Sequence, residues 1–170
     1  MITASIFLVF PLCLALAALT DLLSMTIPNR VSVILLGTFL FVAPMSGMDF
    51  QVFALSVAAG VVVFLACFVL FAFNTMGGGD AKLLTSSAIW FGFNYSLAEF
   101  LVAVALIGGI LTLGILVLRS RSEAIMATGL PIPDSLLVAK KVPYGIAIAI
   151  AGLLTYPEAP IVQTAIRAML

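Results

Sequence analysis

Two aspartates, Asp21 and Asp80, are the residues of this sequence best suited to chemistry. Asp21 follows nineteen residues that carry no charge, and Asp80 directly follows three glycines. Two carboxylates held close together cannot both ionise readily, so such a pair shares one proton. The shared-proton state supplies a base to activate water and an acid to protonate a departing nitrogen. Because the chain contains no histidine, Ser-His, Cys-His and His-Glu metal chemistries are excluded.

Each aspartate, taken alone, also has a purely structural explanation. Asp21 can mark the end of a helix in the headgroup region, where an acidic residue costs much less than at the bilayer centre. A carboxylate at a helix C-terminus is, however, mildly unfavourable against the helix dipole. Asp80 can be the N-cap of a helix that follows an ordinary glycine loop. Glycines such as Gly77, Gly78 and Gly79 are poor residues for a helix interior, and they allow an extended peptide to approach closely.

The composition places these residues in a membrane protein. Of the 170 residues, 64% are hydrophobic and only 8% are charged, whereas soluble domains carry about 25% charged residues. The apolar residues lie in long runs without polar alternation, which favours helices over a β-barrel. We therefore predict an all-α, polytopic bundle of about six transmembrane helices, formed by a single domain that covers residues 1–170. Six apolar segments are marked: Ile2–Thr20, Val31–Ala43, Phe50–Phe73, Leu83–Phe93, Phe100–Leu118 and Tyr144–Thr155.

The basic residues predict the orientation of this bundle. With the N-terminus outside, the cytoplasmic connections contain six of the seven basic residues, as the positive-inside rule requires. Asp21 and Asp80 then lie at the same membrane depth, on the cytoplasmic face. The basic residues on that face are Arg30, Lys82, Arg119, Arg121, Lys140 and Lys141.

The longest connection, from Arg119 to Lys141, is expected to be structured. Pro131 and Pro133 interrupt it, and Asp134 or Ser135 is suited to cap a short helix that runs to Ala139. The apolar content of this segment is typical of a helix that lies along the membrane surface. We expect the tail from Ile161 to Leu170 to lie along the opposite surface.

Three stretches of the chain resemble the type IV prepilin peptidases. They are Asp21 to Ile27-Pro28-Asn29, the run Gly77-Gly78-Gly79-Asp80-Ala81-Lys82-Leu83-Leu84, and Pro143-Tyr144-Gly145-Ile146-Ala147-Ile148-Ala149. The GxGD motif, with Gly78 at its variable position, is the most specific of them. The chain is most similar to the short form that serves tight-adherence (Flp-type) pilus systems.

The resemblance implies an intramembrane aspartic endopeptidase of the bacterial inner membrane, which removes prepilin leaders after a glycine on the cytoplasmic side. It places catalysis on Asp21 and Asp80, and it implies that prepilins or pseudopilins are the substrates. Longer members of the family carry paired cysteines before the first aspartate and methylate the trimmed pilin. This chain begins in its first apolar segment, so methyl transfer is not expected.

Further residues are expected near the site, without a cofactor or metal. Gly77, Gly78, Gly79 and Lys82 are predicted to contact substrate, although Lys82 is also suited to extend to the interface. The two cysteines, Cys13 and Cys67, are isolated in apolar runs and form no zinc site. With zero net charge, no nucleic-acid partner is indicated. Pro28, Asn29, Pro143, Tyr144 and Gly145 are expected to shape the entries to neighbouring helices.

Two other classes of protein remain alternatives to a peptidase. A small proton- or ion-coupled transporter could use the two aspartates as ion sites. Such a carrier should place its carboxylates near the midplane, whereas these two fall at the ends of predicted spans. A non-catalytic assembly factor would tolerate asparagine at either position. The sequence does not indicate the oligomeric state.

Overall fold

The computed structural model describes residues 2–121, 134–137 and 141–169, and the regular structure of these residues is helical. The prediction of an all-α fold is thus confirmed. A 3-10 turn, Tyr156–Glu158, joins the last two helices. The helices are α1 (Ile2–Ser24), α2 (Asn29–Met45), α3 (Phe50–Ala72), α4 (Gly78–Phe91), α5 (Tyr95–Ser120), α6 (Asp134–Leu137), α7 (Tyr144–Thr155) and α8 (Pro160–Arg167).

Four helical segments are long and apolar enough to cross a membrane. They are Ile2–Ser24, Phe50–Ala72, Tyr95–Ser120 and Tyr144–Arg167, and the shorter Asn29–Met45 is also apolar. The outward faces carry exposed side chains such as Leu12, Phe68 and Ile110. A bilayer, rather than water, suits a surface of this kind. The chain is therefore a multi-pass membrane protein built as a helical bundle.

Helix α4 lies at the centre of this bundle, although it has only 14 residues. It packs against α2, α3 and α7, and nearly every side chain from Leu83 to Phe91 is buried. The indole Nε1 of Trp90 donates a hydrogen bond to the carbonyl oxygen of Leu35, 3.2 Å away. A buried indole N–H needs such a partner. This bond and the surrounding packing fix the position of α4 against α2.

A cluster of aromatic rings holds one end of the bundle together. The rings of Phe10 and Tyr156 stack with centroids 4.2 Å apart, and those of Phe91 and Phe100 stack at 4.4 Å. Trp90 packs against Phe10 at 5.2 Å. The Tyr156 hydroxyl also donates to the carbonyl oxygen of Ile6 at 2.7 Å. These contacts tie α1, α4 and α5 to the turn before α8, at the end of the bundle away from Asp21.

The helix boundaries near the two aspartates differ from the predicted ones. Helix α1 continues beyond Thr20 to Ser24, and it ends where Met25 takes the left-handed φ of 53°. Pro28 then precedes the first residue of α2 in an extended conformation. The glycine stretch is not a free loop, because Gly78 is already the first residue of α4. A helix can begin with glycine because its first N–H groups have no intrahelical partner anyway.

The two segments expected along the membrane surfaces are only partly described. A helix is described from Asp134 to Leu137, within the segment predicted to form one, and the capping role of Asp134 or Ser135 stays a prediction. Pro131, Pro133 and the predicted end at Ala139 lie outside the described residues. The tail forms α8, and its Ile161 is fully buried against the bundle. The tail is therefore packed into the fold through one of its faces.

Candidate active site

Asp21 and Asp80 meet at one end of the bundle, where both line a single cavity of about 310 Å³. Asp21 comes from the last turn of α1, and Asp80 comes from the first turn of α4. The sequence predicted this meeting, which requires α1 and α4 to run in opposite directions. The other residues that line the cavity are Met25, Thr26, Ile27, Asn29, Gly77, Gly78, Gly79, Lys141 and Val142.

Asp21 is held by the first turn of α7. Its side chain is only 4% exposed, and its Oδ2 accepts a hydrogen bond from the backbone N–H of Gly145, 2.7 Å away. A side chain at position 145 would occupy the same space. A Cβ there would lie 2.8 Å from Asp21 Oδ2 and 2.9 Å from Ile27 Cδ1. Glycine at 145 therefore allows α7 to approach the carboxylate directly.

Asp80 lies before the apolar stretch of α4 and lines the cavity. Its pKa is raised to about 7, chiefly by burial and also by the nearby Asp21 carboxylate, while the Lys141 ammonium acts in the opposite direction. Asp80 lies close to Gly77, since a Cβ at position 77 would lie 2.7 Å from Asp80 Oδ2. Near neutral pH, this carboxyl group can both hold and release a proton.

A second and larger cavity, of about 560 Å³, adjoins the first. The two cavities share Gly77, Asp80, Lys141 and Val142. The larger one extends between α3 and α5 and is bounded by Leu70, Asn74, Thr75, Met76, Thr112 and Tyr144. Together the cavities form one groove that passes both carboxylates.

The remaining predicted residues lie around this groove. Pro28 and Pro143 immediately precede α2 and α7, as expected of residues that shape helix entries. The ring of Tyr144 lies against Gly108 of α5, where a Cβ would come within 2.5 Å of it. Gly79 faces Ile27, whose Cβ would lie 3.2 Å from a Cβ at position 79.

Lys82 does not reach the dyad cavity in this structure. Its Nζ donates a hydrogen bond to Asn29 Oδ1 at 2.9 Å, which links α4 to the first residue of α2. Both residues also line a third, mainly apolar cavity of about 390 Å³ between α2 and α3. Substrate contact by Lys82 stays a prediction, and the observed contact is with Asn29.

The list of predicted site residues omitted several that line the cavity. Met25, Thr26 and Ile27 reach it because the chain turns back between α1 and α2. Lys141 reaches it because α7 begins three residues later, beside Asp21. Its position two residues before Pro143-Tyr144-Gly145 could have indicated that Lys141 lies near the site, since this motif and the two aspartates lie at the same end of the bundle.

In the part of the chain that the structure describes, Cys, Asp and Glu side chains form no group of three or more suited to a metal ion. Cys13 and Cys67 are both buried as free thiols. The carboxylate pair thus stands without further acidic or thiol neighbours among the described residues. The other charged residue that lines the cavity is Lys141.

Comparison with known proteins identifies a family to which this sequence is similar. The sequence model of the "Type IV leader peptidase family" matches residues 8–113, which is more than half of the chain. The matched part includes both Asp21 and Asp80, whereas Pro143, Tyr144 and Gly145 lie beyond it. No curated protein and no solved structure gives a significant match.

Proposed function

Because the chain belongs to the type IV leader peptidase family, we propose that it removes the leaders of Flp-like prepilins with Asp21 and Asp80 as the catalytic pair. Family membership makes the chain a membrane-embedded aspartic peptidase. The choice of substrate, the side of cleavage and the residue roles are our proposals. The observation that carries them is the single cavity lined by both carboxylates.

The proposed reaction follows from the shared proton of the pair. The ionised carboxylate takes a proton from a water molecule as the water oxygen bonds to the scissile carbonyl carbon. The protonated carboxyl then gives its proton to the amide nitrogen as the C–N bond breaks. The products are a new carboxylate and a new amine, and the pair needs only to exchange one proton to begin again.

The shape of the groove suits an extended peptide from a membrane protein. Gly77, Gly78 and Gly79 line the cavity beside Asp80, and a Cβ at position 77 would lie 2.7 Å from Asp80 Oδ2. The groove continues past Asp80 into the larger cavity. We propose that residues on either side of a cleaved glycine lie along it, while the hydrophobic segment of the prepilin stays in lipid.

The charges around the groove support cleavage on the cytoplasmic side. The guanidinium of Arg119 donates a hydrogen bond to the carbonyl oxygen of Lys141 at 2.8 Å, so both basic residues lie at the dyad end of the bundle. Arg30, in the first turn of α2, and Lys82, the fifth residue of α4, lie at the same end. By the positive-inside rule this end faces the cytoplasm of the bacterial inner membrane.

A carrier that uses the aspartates as ion sites fits this geometry less well. Such a carrier needs carboxylates midway along its spans. Asp21 instead lies three residues before the end of α1, and Asp80 lies in the first turn of α4.

The decisive test is leader removal by isosteric variants. Asp21→Asn and Asp80→Asn should each abolish cleavage of a co-expressed Flp-type prepilin, as read by gel shift, and the double variant should be no worse than either one. Asp49→Asn is the matched control, because Asp49 caps α3 through Gln51 and asparagine caps equally well. It should cleave like the wild type. Full processing by either single variant at normal membrane levels would contradict the proposal.

A further inference from the structure

The two carboxylates of the pair have different hydrogen-bond surroundings. Asp21 accepts a hydrogen bond from a backbone N–H, that of Gly145, at 2.7 Å. Asp80 has the small glycine wall and open cavity beside it. An N–H group can only donate, so it stabilises a carboxylate oxygen that bears a lone pair and, most of all, the ionised form.

The donor at Gly145 is available for a structural reason. The first N–H groups of a helix have no intrahelical partner, and Pro143, which precedes α7, offers no side-chain cap. Gly145 is the second residue of α7, so its N–H points out of the helix end. The same helix end carries partial positive charge, which favours an anion there. Asp21 thus caps α7 from a different helix.

From this arrangement we propose that Gly145 is a positioning residue that holds Asp21 as the ionised member of the pair, so that Asp21 is the base and Asp80 is the proton donor. The inference rests on the proposed function and assigns the two roles within it. The raised pKa of Asp80 agrees with the assignment, since it leaves that carboxyl protonated below about pH 7.

Two charged groups share the cavity with Asp21. Asp80 of α4 and Lys141, which precedes α7, line the same cavity. The residue of α2 that lines this cavity is the neutral Asn29, whose Oδ1 accepts a hydrogen bond from the Lys82 ammonium. The Lys141 ammonium lowers the pKa of Asp80, which nevertheless stays raised to about 7, so Lys141 is not what makes Asp21 the ionised one of the two carboxylates. The N–H of Gly145 does distinguish them, because it contacts Asp21 alone.

The test compares two glycines on the same helix. Gly145→Ala places a Cβ 2.8 Å from Asp21 Oδ2, whereas Gly152→Ala places one 2.6 Å from Leu14 Cδ1. Both changes disturb the packing of α7 on α1, but only the first displaces the carboxylate. Cleavage rates of purified enzyme with a prepilin substrate are measured from pH 5 to 9, normalised to folded protein.

We expect the acidic limb of the profile to move up by about one to two pH units in Gly145→Ala, since a hydrogen bond to a charged group is lost. The alkaline limb should stay in place, and Gly152→Ala should keep both limbs of the wild type. Ile27→Ala added to Gly145→Ala removes the other close contact and should leave the profile displaced. A wild-type profile in Gly145→Ala, or its return on adding Ile27→Ala, would overturn the inference.

Infrared difference spectra can report the protonation state of each carboxyl group directly, without depending on the activity of the Gly145→Ala variant. At pH 6, wild type minus Asp80→Asn should contain the band of a protonated carboxyl, and wild type minus Asp21→Asn should contain carboxylate bands. The reverse pattern would exchange the two roles and contradict the inference. Failure of the proposed function has a different signature, namely leader removal by Asp21→Asn or Asp80→Asn.

Discussion

The pKa of Asp80 makes a quantitative prediction about activity in alkaline solution. The reaction needs one protonated carboxyl, and the pKa of Asp80 is raised to about 7, chiefly by burial and also by Asp21. Raising the pH through this value removes the proton and with it the acid. At pH 8 about one-tenth of the molecules keep the proton, so the cleavage rate should fall about tenfold for each further pH unit.

A substitution at Lys141 should shift the alkaline limb of the pH–rate profile while leaving Asp21 and Asp80 unchanged. Its ammonium lowers the pKa of Asp80, so Lys141→Met should raise that pKa and extend activity to higher pH. The Lys141 side chain is exposed, and exposed charge pairs contribute about 0.2 to 1 kcal/mol. At about 1.4 kcal/mol per pKa unit, the alkaline limb should move up by about 0.1 to 0.7 pH units. Arg167→Met, which removes a cation from α8, is the control and should not move it.

The assay is the initial rate of prepilin cleavage in proteoliposomes, measured from pH 6 to 9.5 at constant ionic strength. Salt should shrink the effect of Lys141→Met, because exposed charges are screened over about 10 Å at 0.1 M. A rate that is flat or rising between pH 7 and 9 would refute the role of a protonated Asp80. A downward shift of the limb in Lys141→Met would refute the electrostatic argument.

Three other predictions concern topology, packing and the aromatic cluster. Cysteine reporters at Arg30 and Gly78 should be labelled from the same side of the membrane and one at Gly47 from the other, in a background without Cys13 and Cys67; labelling of 30 and 78 from opposite sides would rule out the dyad. Gly108→Ala should lower thermal stability and activity, since its Cβ would lie 2.5 Å from the Tyr144 ring, whereas Gly109→Ala meets nothing within 4 Å and should be neutral in a melting assay. Phe10→Ala should cost about 3 to 5 kcal/mol of stability, and Leu12→Ala, on the exposed face of the same helix, should cost far less in the same denaturation experiment.

The sequence predicted most of the helices because apolar runs and turn residues determine them locally. The bounds of α7 match the predicted segment from Tyr144 to Thr155. The predicted end of α1, Thr20, is four residues early, because a charged residue such as Asp21 indicates the end of an apolar helix when its hydrogen-bond partner is unknown. In the structure Asp21 is accommodated inside the helix by the N–H of Gly145. A carboxylate can therefore extend a membrane helix when another helix caps it.

The pairing of Asp21 with Asp80 was predictable, whereas the surroundings of the pair were not. Both residues fall at the ends of apolar runs on the same side of the bundle, which a topology argument can place. Contacts such as Lys82 to Asn29 join residues 53 positions apart. The role of Trp90, buried against Phe10, was likewise hidden among many apolar residues. Such contacts depend on which faces of the helices meet, and composition does not encode that choice locally.

The aromatic cluster fixes α1 at one point, so a tilt of the helix about that point would displace Asp21. Phe10 is fixed between Trp90 and Tyr156, and Asp21 lies eleven residues further along the helix, about 16 Å away at 1.5 Å per residue. A tilt of about 5° at Phe10 would move Asp21 by about 1.4 Å, and displacements of that size change rates by about a hundredfold. Substitutions in the ring cluster should therefore alter catalysis at the opposite end of the bundle, even where the groove itself is unchanged.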